Sequence, residues 1–151
     1  MFSVDSQDLD KIRQFDFFKD MSLEGLQLAL SEAQIKTLKH REFLYRAGEY
    51  AGSFSVVLDG AVKIMRHSPR GEDVIMHFAL QGDLVGALLM TLQGQVTYPI
   101  SAKSMGGARI LCIPRETYTS YWQTHADIQK KINNLLDRRM CNIHDDKTIS
   151  T

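Results

Sequence analysis

Residues 48–82 read GEYAGSFSVVLDGAVKIMRHSPRGEDVIMHFALQG, and four of the five glycines in this stretch decide the fold. Gly48, Gly60, Gly71 and Gly82 stand 12, 11 and 11 residues apart, the turn spacing of an all-β sandwich or roll. Turns that need a positive φ select glycine, so the ladder is structural before it is anything else. Between the glycines lie short alternating runs. Phe54 and Val56 share one side of SFSVVLDG, and Val62 and Ile64 face away from Lys63 in AVKIMRH. In DVIMHFAL, Val74, Met76 and Phe78 alternate with Ile75 and His77, which predicts a strand covered on both faces. SPRG at 68–71 has the composition of a hairpin turn. A roll over about 36–113 follows.

Outside the roll the period changes. In residues 1–35, Leu23, Leu26, Leu30 and Ala33 recur at helical spacing, with Ser22 as N-cap and Glu24 in the first turn. The aromatic cluster FDFF at 15–18 reads as a core plug. After the roll, Pro114 suits a first helical position, and Thr124-His125-Ala126-Asp127 resembles a capping box. Ile128, Ile132, Leu135, Leu136, Met140 and Ile143 then form one apolar stripe. A helix over 126–144 is about 28 Å long at 1.5 Å per residue. Its stripe needs a partner, and a twin helix in a homodimer is preferred over the chain's own roll. Residues 1–144 make one domain, with C-terminal helices over about 115–144. Residues 145–151, DDKTIST, are a tail or hinge.

Composition excludes several classes of function. The 151 residues are 44% hydrophobic and 24% charged, as in an ordinary soluble domain. Lys+Arg and Asp+Glu each total 18, so no global field draws the chain to nucleic acid or an anionic membrane. Lys36 to Arg41 and Arg138-Arg139 are short basic clusters and read as solvated faces. The N-terminus lacks the basic and apolar regions of a secretory signal. Leu84 to Leu92 is too short to span a bilayer. Cys112 and Cys141 show no CxxC spacing and cannot furnish the ligands of an iron–sulfur cluster. The expectation is a cytoplasmic protein without membrane contact. No G-x-S-x-G or H-E-x-x-H frame is present, and Asp83 reads as a turn acceptor, so no enzymatic activity is expected.

The segments FFKDMSLEGL (17–26), REFLYRAGEYAGSFSVVLDGAVKIMRHSPRGED (41–73), HFALQGDLVGALLM (77–90) and ILCIPRETY (110–118) carry a family likeness. In this order the chain resembles the cyclic-nucleotide-binding sensor domain of the Crp/Fnr regulators, over about residues 15–144. The resemblance implies a mainly β fold with flanking helices: a double-stranded β-helix, or jelly roll, with N-terminal helices and a long C-terminal dimerisation helix. It also implies a phosphate-binding cassette at GDLVGALL (82–89). There a cyclic phosphate rests on N–H groups opening a short helix, an Arg neutralises it in forked geometry, and a Glu accepts from the ribose.

This chain keeps Val85, Gly86 and Leu88 but has Ala87 at the Glu position. Tyr98 and Pro99 stand where the Arg and its hydroxyl neighbour are expected. No Arg lies between Arg70 and Arg109, and Pro99 also removes a backbone donor. Each charge-assisted bond contributes about 1.5–3 kcal/mol, so cyclic AMP is not expected in its usual pose. The YP pair is closer to the Fnr-like branch.

Carried over from the family, the pocket comprises Ile64, Met76, His77, Val85, Gly86 and Ala87. Leu88, Tyr98, Pro99 and Ile100 complete its roll side. Arg139 and Ile143 reach it from the last helix, with His144 beside them. The expected ligand is apolar or aromatic, with a weak acid matched to Arg139. Haem is the lesser alternative. His77 is its available axial ligand and Met140 or His144 the second, but a strand histidine is more often a hydrogen-bonded, half-buried residue. No cofactor or metal is otherwise implied.

These readings converge on the dimeric ligand-sensing domain of a Crp/Fnr-type transcriptional regulator. DNA binding would then belong to a helix-turn-helix domain absent from these 151 residues. DDKTIST fits the hinge before such a domain. A stand-alone, ligand-free dimerisation or interaction domain is the alternative, and an atypical cyclic-nucleotide or haem binder is a third.

Overall fold

The computed structural model describes residues 4–135. Helix α1 (Ser6–Gln14) and α2 (Leu23–Ala29) lead into strands β1 (Gln34–Leu38), β2 (Phe43–Tyr45), β3 (Ser53–His67), β4 (Asp73–Ala79), β5 (Leu84–Val85) and β6 (Ser101–Pro114). The strands form one antiparallel sheet in the order β1-β6-β3-β4, with β2 paired to β6 and β5 to β3. The short helix α3 (Arg115–Thr117) runs into a π-helical turn, Tyr118–Trp122. Helix α4 opens at residue 126 and continues to 135, the last described position.

The long strands β3 and β6 are the spine. Phe54, Val56, Val57, Leu58, Ile110, Leu111 and Ile113 are all buried, because sheet neighbours and helices cover both sides of this half. Gly60 lets the spine bend. Its φ is +85°, and a Cβ there would lie 2.5 Å from the Gly107 carbonyl oxygen, so no side chain fits.

The expected cover over both faces of DVIMHFAL is not found. β4 pairs only with β3, and Ile75, Met76 and Phe78 are exposed while Ala79 is buried. An edge strand has a neighbour on one side only, and its apolar composition mimics a buried strand.

The flanks follow their local chemistry. Ser22 caps α2, its hydroxyl accepting from the Gly25 N–H at 3.0 Å. Trp122 is fully buried, stacks on Phe17 at 5.3 Å, and donates its indole N–H to the Ala29 carbonyl at 2.8 Å. The aromatic plug therefore closes against the C-terminal turn. The Thr124 hydroxyl donates back to the Ser120 carbonyl instead of capping α4. His125 is half-buried, with its Nδ1 enclosed and its ring against Gly25.

Two expected dimer-interface residues need correction. Ile128 and Ile132 are 0% and 2% exposed and belong to the chain's own core. The first turns of the stripe are satisfied by the roll, so an interface cannot rest on them. Leu135 is half-buried. Leu136, Met140 and Ile143 lie outside the described residues.

Helix α1 is held to the roll by charge. Arg109 of β6 forks onto the buried Asp8 carboxylate at 2.7 and 2.9 Å and reaches Asp59 at 3.2 Å, while Lys11 closes the cluster on Asp59. The Arg109 hydrogen bond holds the Asp8 carboxyl below its usual range, and the Lys11 hydrogen bond does the same for Asp59. Arg109 is pushed up by the Asp8 bond first.

Candidate ligand pocket

The cassette is built on backbone hydrogen bonds. β5 pairs with Ser55 and Val56 of β3. The turn before it closes through Gly82 N–H to Val57 carbonyl at 2.8 Å and Val57 N–H to Asp83 carbonyl at 3.0 Å. The Asp83 carboxylate accepts from the Leu80 N–H at 2.8 Å, the turn role expected of it. Gly86 then takes φ +79°, the left-handed region, and starts a 3-10 helix over Ala87–Thr91. Five residues make a corner rather than a helix with a useful dipole.

Beside this corner lies a cavity of about 160 Å³. Ile64 of β3, His77 of β4, Val85 of β5, Gly86 and Leu88 line it together with Pro99 and Ile100. The structure thus brings these sequence-selected residues to one place. It also adds Tyr45, Leu84 and Leu89. Leu84 and Leu89 sit within the quoted GDLVGALL, so counting every apolar residue of that corner would have found them. Tyr45 comes from β2, and no local period marks it.

Other selected residues are placed elsewhere. Ala87 is 2% exposed and faces the core, not the cavity. Met76 is 53% exposed and off the lining, because a register shift between Ile64 and Met65 displaces β4 at that point. Tyr98 is buried and off the lining, packed on Tyr45, which is on it. Its ring stacks on Tyr45 at 3.8 Å with 12° between planes, and its hydroxyl donates to the Ser53 carbonyl at 2.7 Å. Burial pushes that hydroxyl's pKa up. The Tyr98 main chain is tied at both ends, to Gly48 and Glu49. Arg139, Ile143, Met140 and His144 lie outside the described residues.

The electrostatics are spare. Among the described residues the lining contains no Arg, Lys, Asp or Glu, and its polar atoms come from Tyr45, His77 and main chain. Among the described residues no group of three or more His, Cys, Asp or Glu is arranged to hold a metal ion. Cys112 is a half-buried free thiol facing the Ser55 hydroxyl at 3.9 Å, its pKa raised by burial. Cys141 lies outside the described residues. No described helix is long and apolar enough to cross a membrane.

The pattern of the cyclic nucleotide-binding domain matches residues 35–125, more than half of the chain. The chain belongs to that family. One relative of this cyclic nucleotide-binding domain is the transcriptional activator protein anr of Pseudomonas aeruginosa. It is 31% identical over 105 residues, covering 70% of this chain and 42% of the relative. The domain therefore spans less than half the length of that relative. In three dimensions it is similar to the sensor domain of the transcriptional regulator DNR from Pseudomonas aeruginosa, with a TM-score of 0.76 and 20% identity over 90% of each chain. It is also similar to the Thermus thermophilus catabolite activator protein, with a TM-score of 0.73 and 21% identity over 88% of this chain and 62% of that one. The antiparallel sheet with flanking helices is the jelly-roll arrangement expected from the resemblance.

Proposed function

We propose that this domain is the sensor of a Crp/Fnr-type transcriptional regulator whose cavity takes a small apolar molecule in place of a cyclic nucleotide. One observation carries the reading: among the described residues, no cationic or acidic side chain lines the cavity beside the Gly86 corner. A cyclic phosphate needs a forked cation or a run of free donors, and the ribose needs an acceptor. Ala87 supplies no acceptor and is turned to the core. The Tyr98 hydroxyl is committed to Ser53. The size supports the same choice. About 160 Å³ is close to the ~150 Å³ apolar cavity that admits benzene, and below the ~300 Å³ at which drug-sized pockets begin.

Sensing requires that the ligand bind one arrangement of the domain better than another. The output route is the C-terminal helix, with a homodimer formed through Leu136, Met140 and Ile143. DNA is met by a separate domain of the regulator, in the cytoplasm. The similarity to anr and to the DNR sensor domain supports this placement.

Thermal melts with benzene, cyclic AMP, cyclic GMP and haem test the reading. A ligand at 100 times its Kd stabilises the native state by about 2.7 kcal/mol. Benzene is expected to raise Tm, and cyclic AMP at micromolar concentration is not. A clear rise with either nucleotide overturns the pocket assignment, and a rise with haem alone moves it to His77. No rise with any of the four favours the ligand-free interaction domain.

A further inference from the structure

Four strands bring one row of side chains to the side of the sheet away from the cavity. Phe43 of β2 stands opposite Lys103 of β6, Lys103 opposite Lys63 of β3, and Lys63 opposite Phe78 of β4. Val62 and Ile64, the sequence neighbours of Lys63, are buried in the core. Alternation therefore turns the row outward. Directly opposed residues share a face, and like charges so placed are destabilising.

A third cation joins the two lysines. The Arg46 guanidinium carbon lies 4.0 Å from the centre of the Phe43 ring, and Lys103 Nζ lies 4.9 Å from the same centre. Among the described residues, no carboxylate forms an ion pair with Arg46, Lys63 or Lys103. Glu42 and Glu49, close by in sequence, accept instead from the main-chain N–H groups of Lys39 and Arg46. At the far end of the row Phe78 is 46% exposed.

A purely structural role for the lysines exists. Met65, two residues beyond Lys63 on β3, is fully buried, and lysine stems roof apolar side chains while their heads reach water. A roof explains the stems. It does not explain two unneutralised charges facing each other beside a third.

We propose that this face docks an acidic segment of another protein, its carboxylates seated on Lys63, Lys103 and Arg46 and its apolar side chains against Phe78. Charge complementarity selects the partner's chemistry. The Phe43 ring already holds two cations, so it is not an open platform for a nucleobase. That observation sets an acidic polypeptide ahead of a nucleic acid.

The test uses the full chain and a short fluorescein-labelled peptide of alternating glutamate and leucine, read by anisotropy. Lys63→Met with Lys103→Met keeps the stems as a roof and removes both charges. It is expected to weaken peptide binding at least about tenfold, without lowering Tm. The same substitutions at Lys36 and Lys39, exposed residues at the β1 end, are expected to leave binding unchanged. Four results overturn the proposal: no binding by the unsubstituted chain, no loss in the Lys63/Lys103 variant, equal loss in both variants, or tighter binding of a thymidine oligonucleotide than of the peptide. A separate variant, Lys63→Glu, is expected to raise Tm by pairing with Lys103 while weakening the peptide. A fall in Tm would show that the opposed lysines do not repel, and would remove the ground for the proposal.

Discussion

The junction under α1 and the cavity beside Gly86 use opposite chemistry within one small domain. At the junction, Arg109 divides its donors between Asp8 and Asp59, and Lys11 completes a four-residue charge cluster. At the cavity, no Arg, Lys, Asp or Glu among the described residues is on the lining. A forked arginine facing a carboxylate is the device that a phosphate site also needs. Here that device fastens a helix to the roll, while among the described residues no such pair lines the cavity beside Gly86. Backbone shape and recognition chemistry are therefore separable. The Gly86 corner is set by a left-handed φ that favours glycine and by main-chain hydrogen bonds around it, neither of which dictates the side chains that follow.

The comparison breaks most visibly at position 87. Ala87→Glu restores the acid that the family likeness expects, but Ala87 faces the core. An unpaired carboxylate there is expected to cost about 3–5 kcal/mol, read as a shift of the urea midpoint followed by the fluorescence of Trp122. A variant that folds with unchanged stability would mean the position opens to the cavity, and the two regions would no longer be distinct.

A smaller loss is expected from Arg109→Met, which strips the fork from Asp8 and leaves Asp59 with Lys11. Hydrogen bonds to charged groups contribute about 1.5–3 kcal/mol. The value should fall toward the lower end, because the Arg109 and Asp59 side chains are 38% and 37% exposed. Hydrogen exchange is expected to rise in Ser6–Gln14 and not in the cassette. Arg109→Lys keeps the charge but not the fork, and is expected to recover only part of the loss. Equal exchange in both segments would join the two regions into one cooperative unit.

The glycine ladder made the roll legible because turn spacing and strand alternation are local signals. Ser22, as the cap of α2, was legible for the same reason. β4 misled because burial is a property of neighbours: an apolar edge strand and an apolar central strand share a composition. Ile128 and Ile132 misled in a related way. A stripe records that one side of a helix is covered, but not whether its own roll or a twin covers it. Most pocket residues within the glycine-bounded segments could be gathered from the sequence, since the cassette is contiguous. Tyr45 could not, because its place follows from the long-range pairing of β2 with β6.

A finer test separates wall from ligand contact. Tyr98→Phe removes the donor to the Ser53 carbonyl while keeping the stack on Tyr45. The expected loss is about 1 kcal/mol of stability, with benzene affinity unchanged in a fluorescence or Tm titration. A changed affinity with unchanged stability would place the hydroxyl on the ligand side of the wall.

The smallest expected effect is the pH response. Asp8 and Asp59 have folded-state pKa values below the ordinary 3.8, through their bonds to Arg109 and Lys11 respectively. Near and below 3.8 the unfolded chain binds more protons than the folded one, so stability rises with pH through that window. The contribution is complete above the unfolded-state value and is lost as pH falls through the folded-state values. Between pH 5 and 7 the cluster therefore adds no slope to the urea midpoint. Below about pH 4 the slope is expected to appear, and to shrink in Asp8→Asn with Asp59→Asn. Benzene binding should stay flat across the same acid window while the domain remains folded, because no carboxylate among the described residues lines the cavity. A benzene affinity that follows the acid slope would tie the cavity to the charged junction.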